Sequence, residues 1–175
     1  MLIWETTVSE KQDLEEIAAH AIGSAECLQR DDGKAGLVLC NDGISPEQVL
    51  AWKATLLFQG GCNDPGSGPW IFAVGIWTPE DWHEELCAWY QYEHGPILLQ
   101  CPEWQGFQVL EAKASSGCQF FVHHRLSNRT ALDSAQRSAS RQTPWFKRLA
   151  KNDWFDGKFE RSLYRQISLI WHDHL

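Results

Sequence analysis

The chain is short of positive charge, holds a single methionine and contains no long apolar run. Fifteen Lys and Arg stand against 23 Asp and Glu, for a net charge of −8. A phosphate-binding face needs clustered cations, so nucleic acid is not an expected partner. The densest basic stretch is Arg137, Arg141, Lys147, Arg148 and Lys151, and it reads as one solvated helix face. Nothing approaches the roughly 18 apolar residues of a membrane span. The N-terminus MLIWETTVSE lacks the charged start and apolar stretch of a secretory signal. A cytoplasmic location with no membrane partner is the expectation. None of the six cysteines (Cys27, Cys40, Cys62, Cys87, Cys101 and Cys118) forms C-x-x-C. That leaves zinc unsupported and fits small core residues in a reducing compartment. No nucleotide loop, nucleophile elbow or two-metal pattern is present. WHDHL at the C-terminus holds His172 and His174, an H-x-H pair that reads as a polar tail rather than a metal site.

What the chain has in abundance is aromatic surface. Ten Trp, eight Phe and three Tyr fall within 175 residues. Buried aromatics bring large apolar area, and Trp also brings an N–H that needs a partner. They form either a heavily aromatic core or the walls of a pocket for a flat apolar ligand. The candidate walls are Trp70, Phe72, Trp77, Trp104, Trp145 and Trp171.

The hydrophobic period organises the chain into two halves. LIWETTV reads as a strand, and Ser9 with Gln12 forms a capping box for a helix carrying Leu14, Ile17, Ala18, Ala21 and Ile22. AECLQR and AGLVLC read as strands joined by the turn DDGK. Ser45-Pro46-Glu47-Gln48 predicts a second helix start, with Val49, Leu50, Trp52, Leu56 and Leu57 following. GGCNDPGSGP reads as a linker. The order then restarts. WIFAVGIW is a strand, Thr78-Pro79-Glu80-Asp81 opens a helix to about His94, and FQVLEAKA and CQFFVHHRLS are strands joined by SSG. The stretch 131–150 reads as a helix that Pro144 must kink or divide, and RSLYRQISLIW closes as a strand. The expected partition is 1–60, a degenerate half; 61–69, a linker; and 70–175, a second half. The order is that of an α+β, ferredoxin-like β-α-β-β-α-β repeat. A sheet with helices on one face leaves its other face bare. Two such sheets, packed within one chain as a pseudo-dimer or in a homodimer, would enclose a cavity.

On the helix from Pro79, Leu86, Tyr90 and His94 recur at steps of four, with Trp82 and Trp89 on the adjoining edge. Here stand Trp89-Tyr90, Glu93-His94-Gly95-Pro96, CPEWQGF and Thr143-Pro144-Trp145. In these segments the second half, residues 70–171, resembles the dimeric α+β barrel superfamily, nearest its EthD-like branch. The resemblance implies a cavity for small, mostly apolar molecules. It also implies membership among polyketide cyclases, decarboxylases or dehydratases, lactone isomerases, cofactor-free monooxygenases and haem enzymes. The first half departs from this pattern: its helix ends in AAHAIG, where His20 has neither the glutamate nor the proline.

Histidine titrates near neutrality, so His94 is the first candidate for a general base, with Tyr90 one turn back to orient or protonate a carbonyl. The competing reading makes His94 a helix-end residue beside Gly-Pro. Glu93 is a weaker candidate for fixing its tautomer. His123 and His124 point to opposite faces of one strand. One is a second acid/base candidate and the better haem ligand, and parity alone does not say which. Arg125 or Arg165 could meet a substrate carboxylate. The expected activity is a cofactor-independent lyase, cyclase or isomerase acting on an apolar carbonyl compound. The alternatives are a non-catalytic binder and a cofactor-free oxygenase using the same cavity. Catalytic candidates are His94, Tyr90 and His124; substrate-binding candidates are Trp89, Trp70, Phe72, Trp77, His123, Trp104 and Trp145.

Overall fold

A computed structural model describes residues 1–6, 11–43, 50–114, 117–155 and 159–171. Contacts divide the chain into two units: Met1–Thr55 with Ser162–Leu175, and Leu56–Arg161.

The first unit is built from β1 (Leu2–Thr6), α1 (Lys11–Ala18), β2 (Ala21–Arg30), β3 (Gly36–Gly43), β4 (Leu50–Lys53) and most of β9 (Glu160–Trp171). The strands lie in the order β4-β1-β3-β2-β9, and the pairs are antiparallel. The first four positions are a ferredoxin-like order. The DDGK turn closes β2 on β3: the Gly33 amide donates to the Arg30 carbonyl at 2.8 Å, and Gly33 takes φ 68°. That left-handed conformation is why glycine stands there. Helix α1 buries Leu14 and Ala18 against Ala21, Ala25, Cys27, Val38 and Cys40. Its stripe ends at Ala18; Ala21 and Ile22 belong to β2.

Two expectations change here. The helix predicted from Ser45 does not run through Leu57, because Leu50–Lys53 and Thr55–Gly61 are strands. The open edge of β1 takes its ladder from β4, Glu5 opposite Leu50 through Leu2 opposite Lys53. Satisfying a sheet edge outweighs local helix signals. The cap residues Ser45–Gln48, like Ser9, Ser115, Ser116, His172 and His174, lie outside the described residues. The last strand also belongs with the first unit rather than the second half. It pairs with β2, Ser24 opposite Trp171 through Arg30 opposite Tyr164, and sends Ile167 and Ile170 onto the α1 core. The expected linker 61–69 lies inside the second unit.

The second unit holds β5 (Thr55–Gly61), β6 (Trp70–Thr78), β7 (Trp104–Ala114) and β8 (Gly117–Leu126), ordered β6-β8-β7-β5. Residues facing one another across β8 include Phe72, His124 and Phe107 in one row and Ala73, His123 and Gln108 in the next. Over the first row lie α2 (His83–Trp89), α3 (Gly95–Leu98), α4 (Ala135–Ser140) and α5 (Pro144–Leu149). Pro144 divides the 131–150 helix as its missing N–H requires: it opens α5, capped by Thr143, whose Oγ1 accepts from the Phe146 amide at 3.1 Å.

The helix expected to stop at Gly95-Pro96 instead continues to Leu98. It passes through a π turn, Tyr90–His94, in which the Gly95 amide bonds the Tyr90 carbonyl five residues back. Pro96 has no N–H to give its own i−4 carbonyl, and its ring would clash there. Widening the helix by one residue accommodates it.

Candidate functional site

A cavity of about 50 Å³ lies between the helices and the sheet of the second unit. It is lined by Phe72 and Val74 from β6, Trp89, Tyr90, His94 and Leu98 from the 83–98 helix, Trp104 and His124 from β7 and β8, and Phe146 from α5. Arg137, Arg141, Phe159 and Arg161 complete it. About 10–15 Å³ of such space holds one water, so this is room for a few waters or a diatomic gas, not for a whole aromatic ring. A second, open pocket of about 320 Å³ shares Arg137, Arg141 and Phe146 with it and adds Leu132, Ser138 and Gln142. The cavity lies on the helix side of the sheet, not beneath its bare face as expected.

The π turn aims the helix residues inward. Tyr90 and His94 are 4% and 9% exposed, while Tyr92 between them is 71% exposed. His94 is therefore no helix-end cap. Its ring lies 4.2 Å from Trp89 and 4.9 Å from Tyr90, centroid to centroid. Close approach is possible because residue 95 is glycine: a Cβ there would sit 2.4 Å from the Phe107 ring and 2.8 Å from the Tyr90 carbonyl oxygen.

A bulge aims Trp104. Gly106 stands opposite Arg125 and Trp104 opposite Leu126, so one residue of β7 is extra. Without it Trp104 would point to the other face. With it, the indole Nε1–H donates to His124 Nδ1 at 3.1 Å. That bond fixes the tautomer. Nδ1 is the acceptor, so in the neutral ring the proton is on Nε2, which faces Tyr90 Oη at 3.4 Å. The phenol oxygen then accepts from His124, and its own proton is released toward the cavity.

At His94, the Ser140 backbone carbonyl lies where it favours a protonated ring, and Nδ1 is buried with no hydrogen-bond partner among the described residues. Burial lowers the His94 pKa to about 3, opposed by the Ser140 carbonyl and reinforced by Arg141 and Arg137. Burial, then His94, His123 and Arg137, push His124 well below the usual imidazole value. Burial raises the Tyr90 phenol, and Arg161 opposes it. Both histidines are neutral at physiological pH.

The structure thus brings His94, Tyr90, His124, Trp89, Phe72 and Trp104 together. It does not bring in the other four candidates. His123 faces away from the cavity, buried, its pKa lowered to about 4 by burial and Arg125. Trp77 is 40% exposed on the same row as Gln119. Trp70 lies under Arg129. Trp145 Nε1 donates to Glu85 Oε1 at 3.1 Å, tying α5 to α2. Glu93 fixes no ring: its Oε1 accepts from Thr143 Oγ1 at 2.6 Å. The Glu-His and Thr-Pro-Trp segments are therefore joined physically, by hydrogen bonds that seat α5 over the cavity. Arg125 donates to the Gly68 carbonyl on the far face, and Arg165 belongs to the first unit. Sequence reasoning missed Arg137, Arg141 and Arg161. Arg137 and Arg141 are four apart on one turn of helix, which also fits a solvated face, so spacing alone did not mark them. For haem, His124 has Nδ1 occupied by the Trp104 indole and Nε2 facing the Tyr90 hydroxyl, which leaves neither lone pair open to an iron. Among the described residues no three metal-ligating side chains cluster, and no helix is long and apolar enough to cross a membrane.

No protein-family model and no curated protein matches the chain. Solved structures do. An anthrone oxidase-like protein is 10% identical, with TM-score 0.66 over 97% of this chain and 92% of its own. A Listeria monocytogenes ferredoxin-fold protein related to antibiotic biosynthesis monooxygenases is 15% identical, with TM-score 0.64 over 95% and 94%. The haem-degrading enzyme of Listeria monocytogenes is 14% identical, with TM-score 0.62 over 94% and 99%. At such identities the likeness is one of backbone alone, and what it shows is that this chain has the ferredoxin-like α+β fold of those proteins.

Proposed function

We propose that the second unit abstracts a proton from an electron-rich aromatic or enolisable carbonyl compound and that dioxygen then oxygenates the resulting carbanion, with no added cofactor. The observation that carries this reading is that His94 and the Tyr90 phenol, the latter oriented by the Trp104–His124–Tyr90 chain, line one aromatic cavity. His94 takes the proton, and Tyr90 donates to the developing oxyanion. Burial makes an isolated imidazolium costly, so the proton is held only while the enolate's charge is beside it and near Arg161 and Arg137. For an activated methylene the balance is CH₂ plus O₂ giving C=O plus H₂O: the substrate supplies all four electrons. The cavity admits dioxygen, and the adjoining open pocket has room for a ring. Two of the similar structures, the anthrone oxidase-like protein and the relative of antibiotic biosynthesis monooxygenases, support the oxygenase reading.

The lyase or cyclase reading, including an EthD-like relationship, rests on the Glu-His-Gly-Pro segment and shares the first step. The fate of the carbanion separates the two. With anthrone as probe, the protein should consume one O₂ per anthraquinone formed. His94→Gln should lose about 10²–10⁴-fold of the rate above buffer. No uptake above the spontaneous rate sinks the oxygenase reading. Anaerobic conversion of an enolisable diketone would then favour the lyase.

A further inference from the structure

We infer that Phe146 is the gate by which a ring reaches His94 and Tyr90, and that its side chain sets the size of molecule the inner cavity accepts. This rests on the proposed function, whose reacting groups stand in that cavity.

The cavity that holds His94, Tyr90 and His124 has about 50 Å³ of room, and the open pocket beside it about 320 Å³. An apolar cavity of roughly 150 Å³ takes one benzene ring, so a ring fits the second space and not the first. None of His94, Tyr90 and His124 lines the open pocket. A ring must therefore displace a wall before it meets the reacting groups. Among the described residues, Arg137, Arg141 and Phe146 line both spaces. Arg137 gives Nη1 to the Leu132 carbonyl, so moving it breaks a hydrogen bond. Phe146 is the apolar member of the three. Its ring meets Phe155 edge-on at 5.5 Å and Trp89 at 6.0 Å. Turning it to another rotamer breaks no hydrogen bond. The backbone beneath the ring is held in place. Thr143 Oγ1 accepts from the amide of Phe146 itself at 3.1 Å and donates to Glu93 Oε1 at 2.6 Å. Trp145 and Arg148 both donate to Glu85 Oε1. Lifting the whole of α5 would break these bonds and uncover Leu149, which is 0% exposed. The side chain, not the helix, is the part that opens. The Glu-His and Thr-Pro-Trp segments then have a shared role: they fix the frame in which Phe146 turns.

The test follows 2-naphthol binding to the whole protein by stopped-flow tryptophan fluorescence. A gate open for a small fraction of the time slows association by that fraction, so Phe146→Leu should raise the association rate constant about tenfold or more. Phe146→Trp should lower it comparably, an arm that stands even if the leucine variant does not fold. Phe159→Leu makes the same change in a cavity wall that does not line the open pocket, and should leave the rate constant within about twofold. Tyr90→Phe should weaken naphthol binding whether residue 146 is Phe or Leu, which locates the probe in the inner cavity. Equal association rates with Phe, Leu and Trp at position 146 overturn the inference. So does a rise in Phe159→Leu that matches the rise in Phe146→Leu, or naphthol binding indifferent to Tyr90. Oxygen uptake is read separately. Gated binding with no uptake from any electron-rich ring leaves the gate standing and removes the oxygenase. Uptake from anthrone with a kcat/KM indifferent to residue 146 does the reverse.

Discussion

Lowering the pH below about 6.5 should destabilise the second unit through its buried neutral histidines. His94 and His123 are buried neutral, with pKa values of about 3 and about 4 against an ordinary 6.5, and His124 is displaced in the same direction. Unfolding returns each ring to water, where it binds a proton below its ordinary value. Between about pH 6.5 and 4 the unfolded chain therefore holds the extra protons, and stability falls as pH falls. This stability is present in full above 6.5 and is lost on the way down to each native value. At about pH 5 each of His94 and His123 contributes a loss of roughly 2 kcal/mol relative to about pH 7. The two together give roughly 4 kcal/mol, and His124 adds to that. A domain with about 5–15 kcal/mol in total cannot lose so much without a large shift in its unfolding midpoint. Hydrogen bonds from Arg30 and Cys101 lower the Asp32 and Glu103 carboxyls respectively, so the stability these two contribute is lost only as the pH falls through the ordinary carboxylate values and below. The assay is urea unfolding between about pH 7 and 4.5, read by tryptophan fluorescence. The slope should be about 1.4 kcal/mol per pH unit for each histidine, near 2.7 for two. His123→Gln should remove one proton's share of the slope whatever it does to the stability itself. An unfolding free energy constant to about 0.5 kcal/mol from pH 7 to 5 would refute the reasoning.

Trp104→Phe leaves His124 Nδ1 buried without its donor; the expected cost is about 1–3 kcal/mol in urea unfolding, with a fall in any His94-dependent turnover because the Tyr90 proton is no longer freed. Gly95→Ala forces a methyl group against Phe107 and the Tyr90 carbonyl, so a loss of about 1–3 kcal/mol is expected by thermal unfolding; an unchanged midpoint would show that the π turn is looser than described. Thr143→Ala removes the α5 cap and the bond to Glu93 together, and should cost about 1–2 kcal/mol, with raised amide exchange at Phe146 as its local signature.

Much of this was legible in the chain. Pro144 announced a break in the 131–150 helix because its missing N–H and its ring act within one turn of its own position. The DDGK hairpin, the α1 stripe and the alternation along β8 likewise follow from local geometry. The 45–57 segment misled because its partner was a sheet edge far away in sequence, and no local signal weighs that edge against a helix. Arg137 and Arg141 were missed because the rings their guanidinium groups lie over, Phe72 on β6 and Phe146 on α5, come from other elements.

The sequence by itself determined that His123 and His124 must point oppositely and that Tyr90 and His94 share a stripe, since both follow from the chain's own periods. Only the tertiary structure decided which histidine meets the cavity. The helices cover the Phe72–His124–Phe107 row, and which face they cover is a matter of packing. The position of Trp104 was decided in the same way. By strand parity its indole belongs on the other face; one bulged residue in β7 reverses this and gives His124 its donor. A bulge is a register between two strands, and register is a property of the pair rather than of either strand alone.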